Sequence, residues 1–365
     1  MTVATSKPVG LVLGKFYPPH AGHHFLIDTA AQACHTLYVL VTARDDETIT
    51  LNERMSWLSD AHAHQKNVVI IGAKNNVPVN YNDPDIWAAH TAIFTAAVSS
   101  YQARPVTHLF TSEDYGDELA YRMGLTHVLI DLPREIIPIS ATRVRANPLG
   151  AQNLLRPATR AGLTRRIVVL GAESTGTSTV AEALAAKLRT NPLLTNTRSV
   201  PEYGHELSFS KLLTTRGLAR ASSRPIPEMA DVTWDDSDFI TVATEQNRLE
   251  DLAARDSGLL LICDTDAYTT SLWQQRYLGH VTREVRSLGR YNDLYLLTHH
   301  EGVPFVQDGT RDGEHLRRSM TTIFENDLLT TNRNYVVLRG SLSERLAIAE
   351  AAIQSLLARG WWPHP

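Results

Sequence analysis

The sequence predicts an α/β protein with two domains, and three observations support that prediction. The chain has 365 residues, which is more than one ordinary hydrophobic core accommodates. A short apolar strand at Val9–Leu13 runs through a glycine-containing turn into a helix, and the same order of strand, loop and helix starts again at Arg165. Strands that are apolar on both faces and alternate with helices are typical of buried parallel sheets.

The composition limits the classes of protein to which the chain can belong. Its formal net charge of −4 argues against a dedicated nucleic-acid binder. The cysteines Cys34 and Cys263 lie far apart and form neither a disulfide framework nor a zinc-binding spacing, which fits a reducing compartment. The first residues lack the apolar segment of a signal peptide, and no apolar run has the length of a membrane span. We therefore expect a cytoplasmic protein that binds neither nucleic acid nor membranes.

Apolar runs separated by helix-like segments predict a βαβ arrangement in the first half of the chain. The predicted strands are Val9–Leu13, Thr36–Thr42, Asn67–Ile71, His108–Thr111 and His127–Ile130. The predicted helices are His23–Ala33, a helix from Glu53, and Trp87–Ser99. The carboxyl end of the first strand should lie at the edge where α/β sheets bind their ligands.

The turn after the first strand is the first candidate site. Gly14, Lys15 and Phe16 form the turn, two prolines stiffen the loop, and His20 and His23 follow at the start of the helix. Residues three apart share one helix face, and a helix N-terminus offers free N–H groups and the positive end of a dipole. The stretch therefore predicts a phosphate site, although an isolated His-x-x-His pair is also compatible with chance or with metal binding.

A second candidate site lies at the far end of the same domain. Ser140 and Thr142 are good caps for a helix, and Arg143 and Arg145 follow them. Hydroxyls, free backbone N–H groups and guanidinium groups together can hold a triphosphate. The alternative is a capped surface helix whose arginines lie in water.

A break at Asn147–Gly150 and a helical stretch to about Leu163 precede the second domain, so we predict domains at residues 1–160 and 161–365. The strand Arg165–Leu170 runs into a loop with the spacing Gly-x-x-x-x-Gly-x-Ser, which is close to a P-loop. Such a loop directs backbone N–H groups at phosphates. The candidate ATP-binding residues are Gly171, Glu173, Ser174, Thr175, Gly176, Thr177, Ser178 and Thr179. Thr177 stands where a P-loop has its lysine, so the loop alone is weak support for a nucleotide site.

The rest of the second half adds three candidate features. A strand end carries Glu202 and Tyr203, and an apolar strand from Gly258 ends in Asp264 and Asp266, an arrangement like a Walker B motif. The alternative for these aspartates is a cap of the following helix. A loop with Arg311 suits a mobile cover over phosphates. We predict the remaining elements as a helix at Asp235–Arg255, strands at Asn292–Thr298 and Tyr335–Leu338, and a final helix from Ser343.

Taken together, these motifs resemble a known family. His-x-Gly-His and Ile-Ser-x-Thr-x-x-Arg resemble the two signatures of the nucleotidyltransferase superfamily. With the second half, Gly-x-Glu-Ser-x-Gly, Glu-Tyr, Asp-Thr-Asp and Asp-Gly-Thr-Arg, almost the whole chain looks like the NadR-type family. The resemblance implies an N-terminal Rossmann-like nucleotidyltransferase fold joined to a C-terminal P-loop kinase fold. In that family the kinase makes nicotinamide mononucleotide from nicotinamide riboside, and the first domain adenylylates the mononucleotide to NAD.

The resemblance also implies roles for the candidate residues. ATP and Mg²⁺ would be needed, and a homo-oligomer is a further expectation. The implied catalytic residues are His20, His23, Arg145 and Asp264. The implied magnesium ligands are Ser178 and Asp264, and the implied substrate-binding residues are Trp87, Glu202, Tyr203 and Asp266. Trp87 would stack on nicotinamide, although a tryptophan in a helix is more often part of a core.

Two rival interpretations remain at this point. In the first, the second domain only senses a nucleotide, because Thr177 replaces the lysine. In the second, the adenylyl or cytidylyl acceptor is a different compound, for example pantetheine phosphate. Some family members carry an N-terminal helix-turn-helix domain, and we expect none here because the first motif begins near residue 10.

Overall fold

The computed structural model describes residues 7–101, 104–309, 311 and 313–362. The chain divides into two compact units. The first, here the N-terminal unit, contains the residues up to Leu163 together with Trp361 and Trp362, and the second, the C-terminal unit, is Thr164–Gly360. The sequence predicted a boundary at residue 160, three residues before this division, and a second domain that included Trp361 and Trp362.

The N-terminal unit is a five-stranded parallel sheet with helices between the strands. Its strands are β1 Val9–Gly14, β2 Thr36–Ala43, β3 Val68–Lys74, β4 His108–Thr111 and β5 Thr126–Leu129. Its helices are α1 Ala21–Ala33, α2 Leu51–Ala61, α3 Pro84–Ser99, α4 Gly116–Met123, α5 Ala141–Ala146, α6 Pro148–Ala151 and α7 Pro157–Leu163. The strand order is β3-β2-β1-β4-β5, with β1 in the centre. This order is that of a doubly wound fold without its sixth strand.

Helices cover both faces of this sheet, and β1 contributes to each face. Val12 packs with Ile27 and Leu58 on one face, and Leu11 packs with Leu109 on the other. Both β1 side chains are fully buried, as expected for a central parallel strand. The site-bearing loop after β1 therefore starts from the most buried strand of the unit.

The helix α7 belongs to this unit because it packs against α2 through a glycine. A Cβ atom at Gly162 would lie 2.2 Å from Cζ2 of Trp57, so only a residue without a side chain allows this approach. Arg156 also donates to the carbonyl oxygen of Ala61 at 3.0 Å.

The C-terminal unit is a second five-stranded parallel sheet. Its strands are β6 Arg165–Gly171, β7 Arg198–Val200, β8 Leu260–Asp264, β9 Leu294–Thr298 and β10 Tyr335–Leu338. Its helices are α8 Thr177–Leu188, α9 Tyr203–Ala221, α10 Asp236–Asp256, α11 Ala267–Leu278, α12 Arg283–Leu288, α13 Arg317–Thr330 and α14 Leu342–Ala358. The strand order is β10-β9-β6-β8-β7, so β6 is central. Two parallel-sheet α/β units confirm the predicted fold class.

Several elements differ from the sequence prediction. The sequence predicts a helix at Val180–Arg189, but α8 begins three residues earlier, because Thr177 and Ser178 form its first turn. Glu202 does not end a strand: β7 ends at Val200, and Glu202 is the residue that precedes α9. The helices α9, α11, α12 and α13 were not predicted, because α9 and α13 mix apolar and polar residues without a clear stripe. No helix in the described ranges is long and apolar enough to span a bilayer.

The division at Leu163 gives the first testable prediction. A fragment of residues 1–164 should fold, whereas residues 1–155 should melt at least about 5 °C lower, because they lack α7 and leave Trp57 uncovered. Circular dichroism at increasing temperature measures both. The assignment of α7 to the N-terminal unit would be contradicted if the 1–164 fragment showed no cooperative transition, or if the two fragments had equal melting temperatures.

Candidate functional site

A cavity lies at the carboxyl edge of the sheet in each unit. The cavity of the N-terminal unit, called here the N-terminal cavity, has a volume of about 500 Å³. Two predicted motifs line it. The first motif supplies Gly14, Lys15, Phe16, His20 and His23, and the second motif supplies Ser140, Thr142 and Arg145. The fold therefore brings together two motifs that are more than a hundred residues apart in the sequence.

The two histidines form a reciprocal cap at the start of α1. The Nδ1 atom of His20 accepts from the backbone N–H of His23 at 3.4 Å, and Nδ1 of His23 accepts from the N–H of His20 at 3.3 Å. The rings stack with their centroids 3.7 Å apart. Because each Nδ1 is an acceptor, the neutral tautomer carries its proton on Nε2. The pair can therefore present two Nε2–H donors.

The surroundings keep both histidines neutral. Desolvation, and secondarily the charge of Arg134, lower the pKa of His20 to about 4. Desolvation and the neighbouring His20, His24 and Arg134 hold the pKa of His23 well below its usual value. At neutral pH the pair is therefore a hydrogen-bond donor without charge, and positive charge in this cavity comes from arginine and lysine side chains.

Arg145 reaches the cavity from α5 and is held from two sides. Its Nη1 donates to the carbonyl oxygen of Tyr17 at 2.5 Å, and its Nη2 donates to Oγ1 of Thr142 at 3.3 Å. Its guanidinium lies 4.8 Å from the centroid of the Tyr17 ring. Ser140 caps α5 by accepting from the N–H of Arg143 at 3.3 Å. The second motif is thus a fixed structure that ties α5 to the loop of the first motif.

A buried arginine that was not predicted holds that loop. Arg54 is fully buried and donates to the carbonyl oxygens of Lys15 at 3.1 Å and Thr42 at 3.2 Å. Its guanidinium pairs with Glu47 at 2.7 Å and lies 4.3 Å from the Tyr17 ring centroid. The Tyr17 ring therefore contacts the guanidinium groups of both Arg54 and Arg145.

Two predicted residues of this unit lie elsewhere than in the cavity lining. Arg143 is exposed and donates to the carbonyl oxygen of Pro138 at 2.5 Å. Trp87 is buried in the core, and its indole N–H donates to the carbonyl oxygen of Tyr81 at 3.0 Å. The cavity instead contains Arg134, paired with Glu113 at 2.8 Å, and Tyr115. Sequence reasoning missed these residues because they belong to no motif.

The cavity of the C-terminal unit, called here the C-terminal cavity, has a volume of about 510 Å³. The predicted residues that line it are Gly171, Glu173, Ser174, Thr177, Ser178, Glu202, Asp264 and Arg311. Gly176 precedes α8 with φ of 85°, a conformation that glycine adopts without strain. The free N–H groups at the start of α8 therefore open toward the cavity, as in a phosphate-binding loop.

Carboxylates crowd this cavity. Desolvation raises the pKa of Asp264, and hydrogen bonds from Ser178 and Thr177 oppose that increase. Desolvation, Asp264 and Glu173 raise the pKa of Glu202 to about 8. The Oδ1 atom of Asp264 is buried without a hydrogen-bond partner.

These groups fit a magnesium ion. A hydroxyl and a carboxylate are the ligands that Mg²⁺ takes from protein when it also binds substrate phosphates and water, and the unpartnered Oδ1 of Asp264 offers such a ligand beside Ser178. Within the described part of the chain, no group of three or more His, Cys, Asp or Glu residues could hold a metal ion by itself. Phosphate oxygens would therefore complete the coordination.

Buried side chains support the phosphate-binding loop from behind. Thr175 donates to the carbonyl oxygen of Ala172 at 2.6 Å. Arg317 donates to the carbonyl oxygen of Ser174 at 3.0 Å, and Arg345 donates to that of Thr175 at 2.8 Å. The loop conformation is thus fixed by the protein itself.

The remaining predicted residues lie outside the cavity lining. They are Thr175, Gly176, Thr179, Tyr203 and Asp266. Asp266 caps α11 by accepting from the N–H of Thr269 at 2.9 Å, and it also accepts from Asn292 at 2.8 Å and from Tyr295 at 3.1 Å. This is the helix cap that the sequence left open as an alternative, and the substrate role of Asp266 stays a prediction.

An aromatic cluster lines the same cavity and was not predicted. It consists of Trp234, Phe239, Trp273 and Tyr277. The Trp234 ring centroid lies 5.8 Å from those of Phe239 and Tyr277, and the centroids of Trp273 and Tyr277 are 6.4 Å apart. No local pattern indicates this cluster, because aromatic residues scattered over helices are usual in cores.

Arg311 lines the C-terminal cavity from a loop. Its Nε atom pairs with Asp308 at 2.9 Å, and its Nη1 donates to the carbonyl oxygen of Val306. The loop is joined to the phosphate-binding loop where the N–H of Val306 donates to Oγ of Ser174 at 2.8 Å. Arg311 is therefore near the cavity but is paired within its own loop.

The neutral histidines of the N-terminal unit give a prediction on pH. Desolvation, Arg156, His62 and His20 lower the pKa of His24 to about 2, and an unfolded chain titrates its histidines near pH 6.5. Below that pH the unfolded state binds more protons, so stability should fall as pH drops from 7 to 4.5, by up to about 1.4 kcal/mol per unit for each such histidine.

Thermal melts of the wild type and of His24→Gln at pH 7 and pH 5 measure this effect. The variant should lose less stability on acidification than the wild type. The exposed His64 provides the control, and His64→Gln should behave like the wild type. An equal loss in all three proteins would show that His24 does not contribute.

The comparisons with known proteins agree with this geometry. A family model described as an AAA domain matches residues 166–345, and one described as the citrate lyase ligase C-terminal domain matches residues 11–80. The chain is 28% identical over 322 residues to the trifunctional NAD biosynthesis/regulator protein NadR of Salmonella typhimurium, covering 84% of this chain and 72% of that protein. The NadR protein of Escherichia coli is 27% identical over the same length.

Solved structures show the same fold. A NadR protein in complex with NR has a TM-score of 0.70 at 19% identity and covers 96% of each chain. A NadR protein in complex with NAD and AMP-PNP has a TM-score of 0.66 at 19% identity and covers 97% of each chain. The predicted pairing of a nucleotidyltransferase-like domain with a P-loop domain is confirmed. The chain is thus similar to NadR proteins in sequence over most of its length and in fold over nearly all of it.

Proposed function

We propose that the chain is a bifunctional enzyme of NAD biosynthesis. The N-terminal unit transfers AMP from ATP to nicotinamide mononucleotide, giving NAD and pyrophosphate. The C-terminal unit phosphorylates nicotinamide riboside to the mononucleotide. The observation that carries the proposal is the N-terminal cavity, in which the stacked His20 and His23 and the capped helix of Arg145 line one space. The sequence relatives, which are NAD biosynthesis proteins, support the choice of substrates.

The adenylyl transfer needs no protein nucleophile. A phosphate oxygen of the mononucleotide attacks the α-phosphorus of ATP, the bond to the β-phosphate oxygen breaks, and pyrophosphate leaves with the electron pair. The Nε2–H donors of His20 and His23 hydrogen-bond phosphate oxygens that gain charge in the transition state. Ser140, Thr142 and Arg145 hold the leaving pyrophosphate. Because the histidines are neutral, they orient the phosphates, and Arg145 and Lys15 supply the charge.

The kinase reaction uses the C-terminal cavity. The start of α8 holds the phosphates of a second ATP, and Ser178 and Asp264 hold Mg²⁺, which neutralises phosphate charge when bound. Asp264 or Glu202 accepts a hydrogen bond from the hydroxyl that attacks the γ-phosphorus. The aromatic cluster of Trp234, Phe239, Trp273 and Tyr277 packs against the nicotinamide ring, which is a flat cation in the riboside. A homo-oligomer remains a further expectation.

A second candidate function is favoured by one observation. Thr177 provides no charge where a P-loop has lysine, and Arg311 is paired with Asp308. In this alternative the C-terminal unit binds a nucleotide and regulates, without phosphoryl transfer. The carboxylates at Asp264 and Glu202 favour the kinase, because a unit that only senses a nucleotide does not need them.

Product analysis tests the first activity. The purified protein, ATP and Mg²⁺ should give NAD and pyrophosphate with nicotinamide mononucleotide. His23→Ala should lower the rate about 10²–10³-fold, as the loss of one transition-state donor does. The exposed His35 provides a matched control, and His35→Ala should keep the wild-type rate. An unchanged rate in His23→Ala would remove His23 from the mechanism.

The missing lysine leads to a prediction for the second activity. With nicotinamide riboside, ATP and Mg²⁺, the wild type should form the mononucleotide. The reason is that Arg311, once its ion pair with Asp308 opens, supplies the positive charge that a P-loop lysine would provide. Arg311→Ala should lower this rate on the order of 10²-fold, and Thr177→Lys should restore part of it in the same chain. The exposed Arg318 is the control, and Arg318→Ala should be active.

Two results would decide against this scheme. Unchanged phosphorylation in Arg311→Ala would show that Arg311 does not replace the lysine. A wild-type protein that binds ATP but forms no mononucleotide would establish the sensing alternative.

A further inference from the structure

The last described residues of the chain belong to the N-terminal unit. Trp361 donates from Nε1 to the carbonyl oxygen of Leu163 at 2.8 Å, and Trp362 donates from Nε1 to the carbonyl oxygen of Arg145 at 3.0 Å. Trp362 therefore contacts the second motif, although 217 positions separate the two residues.

The carbonyl group that Trp362 binds needs a donor from outside its helix. Arg145 lies in the last turn of α5, a helix of six residues. The last carbonyl groups of a helix have no partner within it, and Pro148, two residues beyond the end of α5, carries no N–H. The indole of Trp362 supplies this donor and fixes the C-terminal end of α5.

Trp362 also contacts the loop of the first motif. Its ring centroid lies 6.4 Å from that of Tyr17. Tyr17 is the residue whose carbonyl oxygen accepts from Arg145 at 2.5 Å and whose ring contacts the Arg145 guanidinium. Trp362 thus contacts both the backbone of Arg145 and Tyr17, which is the partner of the Arg145 side chain.

We propose that Trp362 is a positioning residue for adenylyl transfer, acting through Arg145. It fixes α5 against Tyr17 so that the Arg145 guanidinium stays at the edge of the N-terminal cavity. The inference rests on the adenylyltransferase function proposed above. Trp362 contacts the cavity residues Tyr17 and Arg145, and it acts on substrate through them.

The test uses the full chain and measures adenylyl transfer by pyrophosphate release. Trp362→Ala should lower kcat on the order of tenfold, the effect of losing about one hydrogen bond in positioning, with a smaller change in the KM for ATP. Trp362→Phe keeps the ring against Tyr17 but lacks the N–H, so its rate should be intermediate. Trp361→Phe is the matched control, because it removes the hydrogen bond to Leu163 and leaves the one to Arg145 intact, and its rate should equal that of the wild type.

Coupling to Arg145 separates positioning from general stability. If Trp362 acts through Arg145, then Trp362→Ala should cause no further loss in an Arg145→Ala background. A full additional tenfold loss there would overturn the proposal. So would a wild-type kcat in Trp362→Ala, or a loss in Trp361→Phe equal to that in Trp362→Phe.

The outcome is distinguishable from failure of the proposed function. If the wild type releases no pyrophosphate, the adenylyltransferase function itself is wrong. If the wild type is active and Trp362→Ala is equally active, only the role of Trp362 is wrong. Should Trp362→Ala fail to fold, as circular dichroism would show, Trp362→Phe in the two Arg145 backgrounds gives the same comparison.

Discussion

The central strand of each sheet must end in a loop that leaves backbone N–H groups free, and both cavities depend on this constraint. In the N-terminal unit β1 lies between β2 and β4, and in the C-terminal unit β6 lies between β8 and β9. The connections that follow the neighbouring strands β1 and β4 run in opposite directions along the sheet, as do those that follow β6 and β9, which opens a crevice at the carboxyl ends of these strands. A buried strand cannot shift without exposing its side chains, so the start of α1 and of α8 is fixed beside that crevice.

Carbonyl groups in such loops need hydrogen-bond donors, and buried arginine side chains provide these donors. Arg54 holds the loop after β1, and Arg317 and Arg345 hold the loop after β6. All three are buried, and each donates to several carbonyl oxygens from one planar group. Removing the side chain of such an arginine would leave buried carbonyl groups without donors. These arginines are thus support for the phosphate sites, whereas Arg145 and Arg311 line the cavities.

The sequence was informative where chemistry and local structure coincide. Glycines, prolines and caps determine the loops after β1 and β6 locally, so these loops and the strands before them were predictable from the sequence pattern. Arg134, the aromatic cluster around Trp234 and the contact of Trp362 with Arg145 depend on packing between distant segments, which no local pattern encodes. For Trp87 the sequence left a substrate contact and a core position open, and its side chain packs in the core.

The balance of charge in the C-terminal cavity explains why the missing lysine matters. Glu173, Glu202 and Asp264 line one cavity, and their proximity together with desolvation raises the pKa of Glu202 to about 8. A polyphosphate that enters this cavity adds negative charge beside carboxylates that already repel one another. A P-loop lysine would offset part of that charge, and Thr177 offers only a hydroxyl. In the proposed kinase reaction, positive charge would therefore come with the nucleotide or from the loop of Arg311, which would couple phosphate binding to the position of that loop.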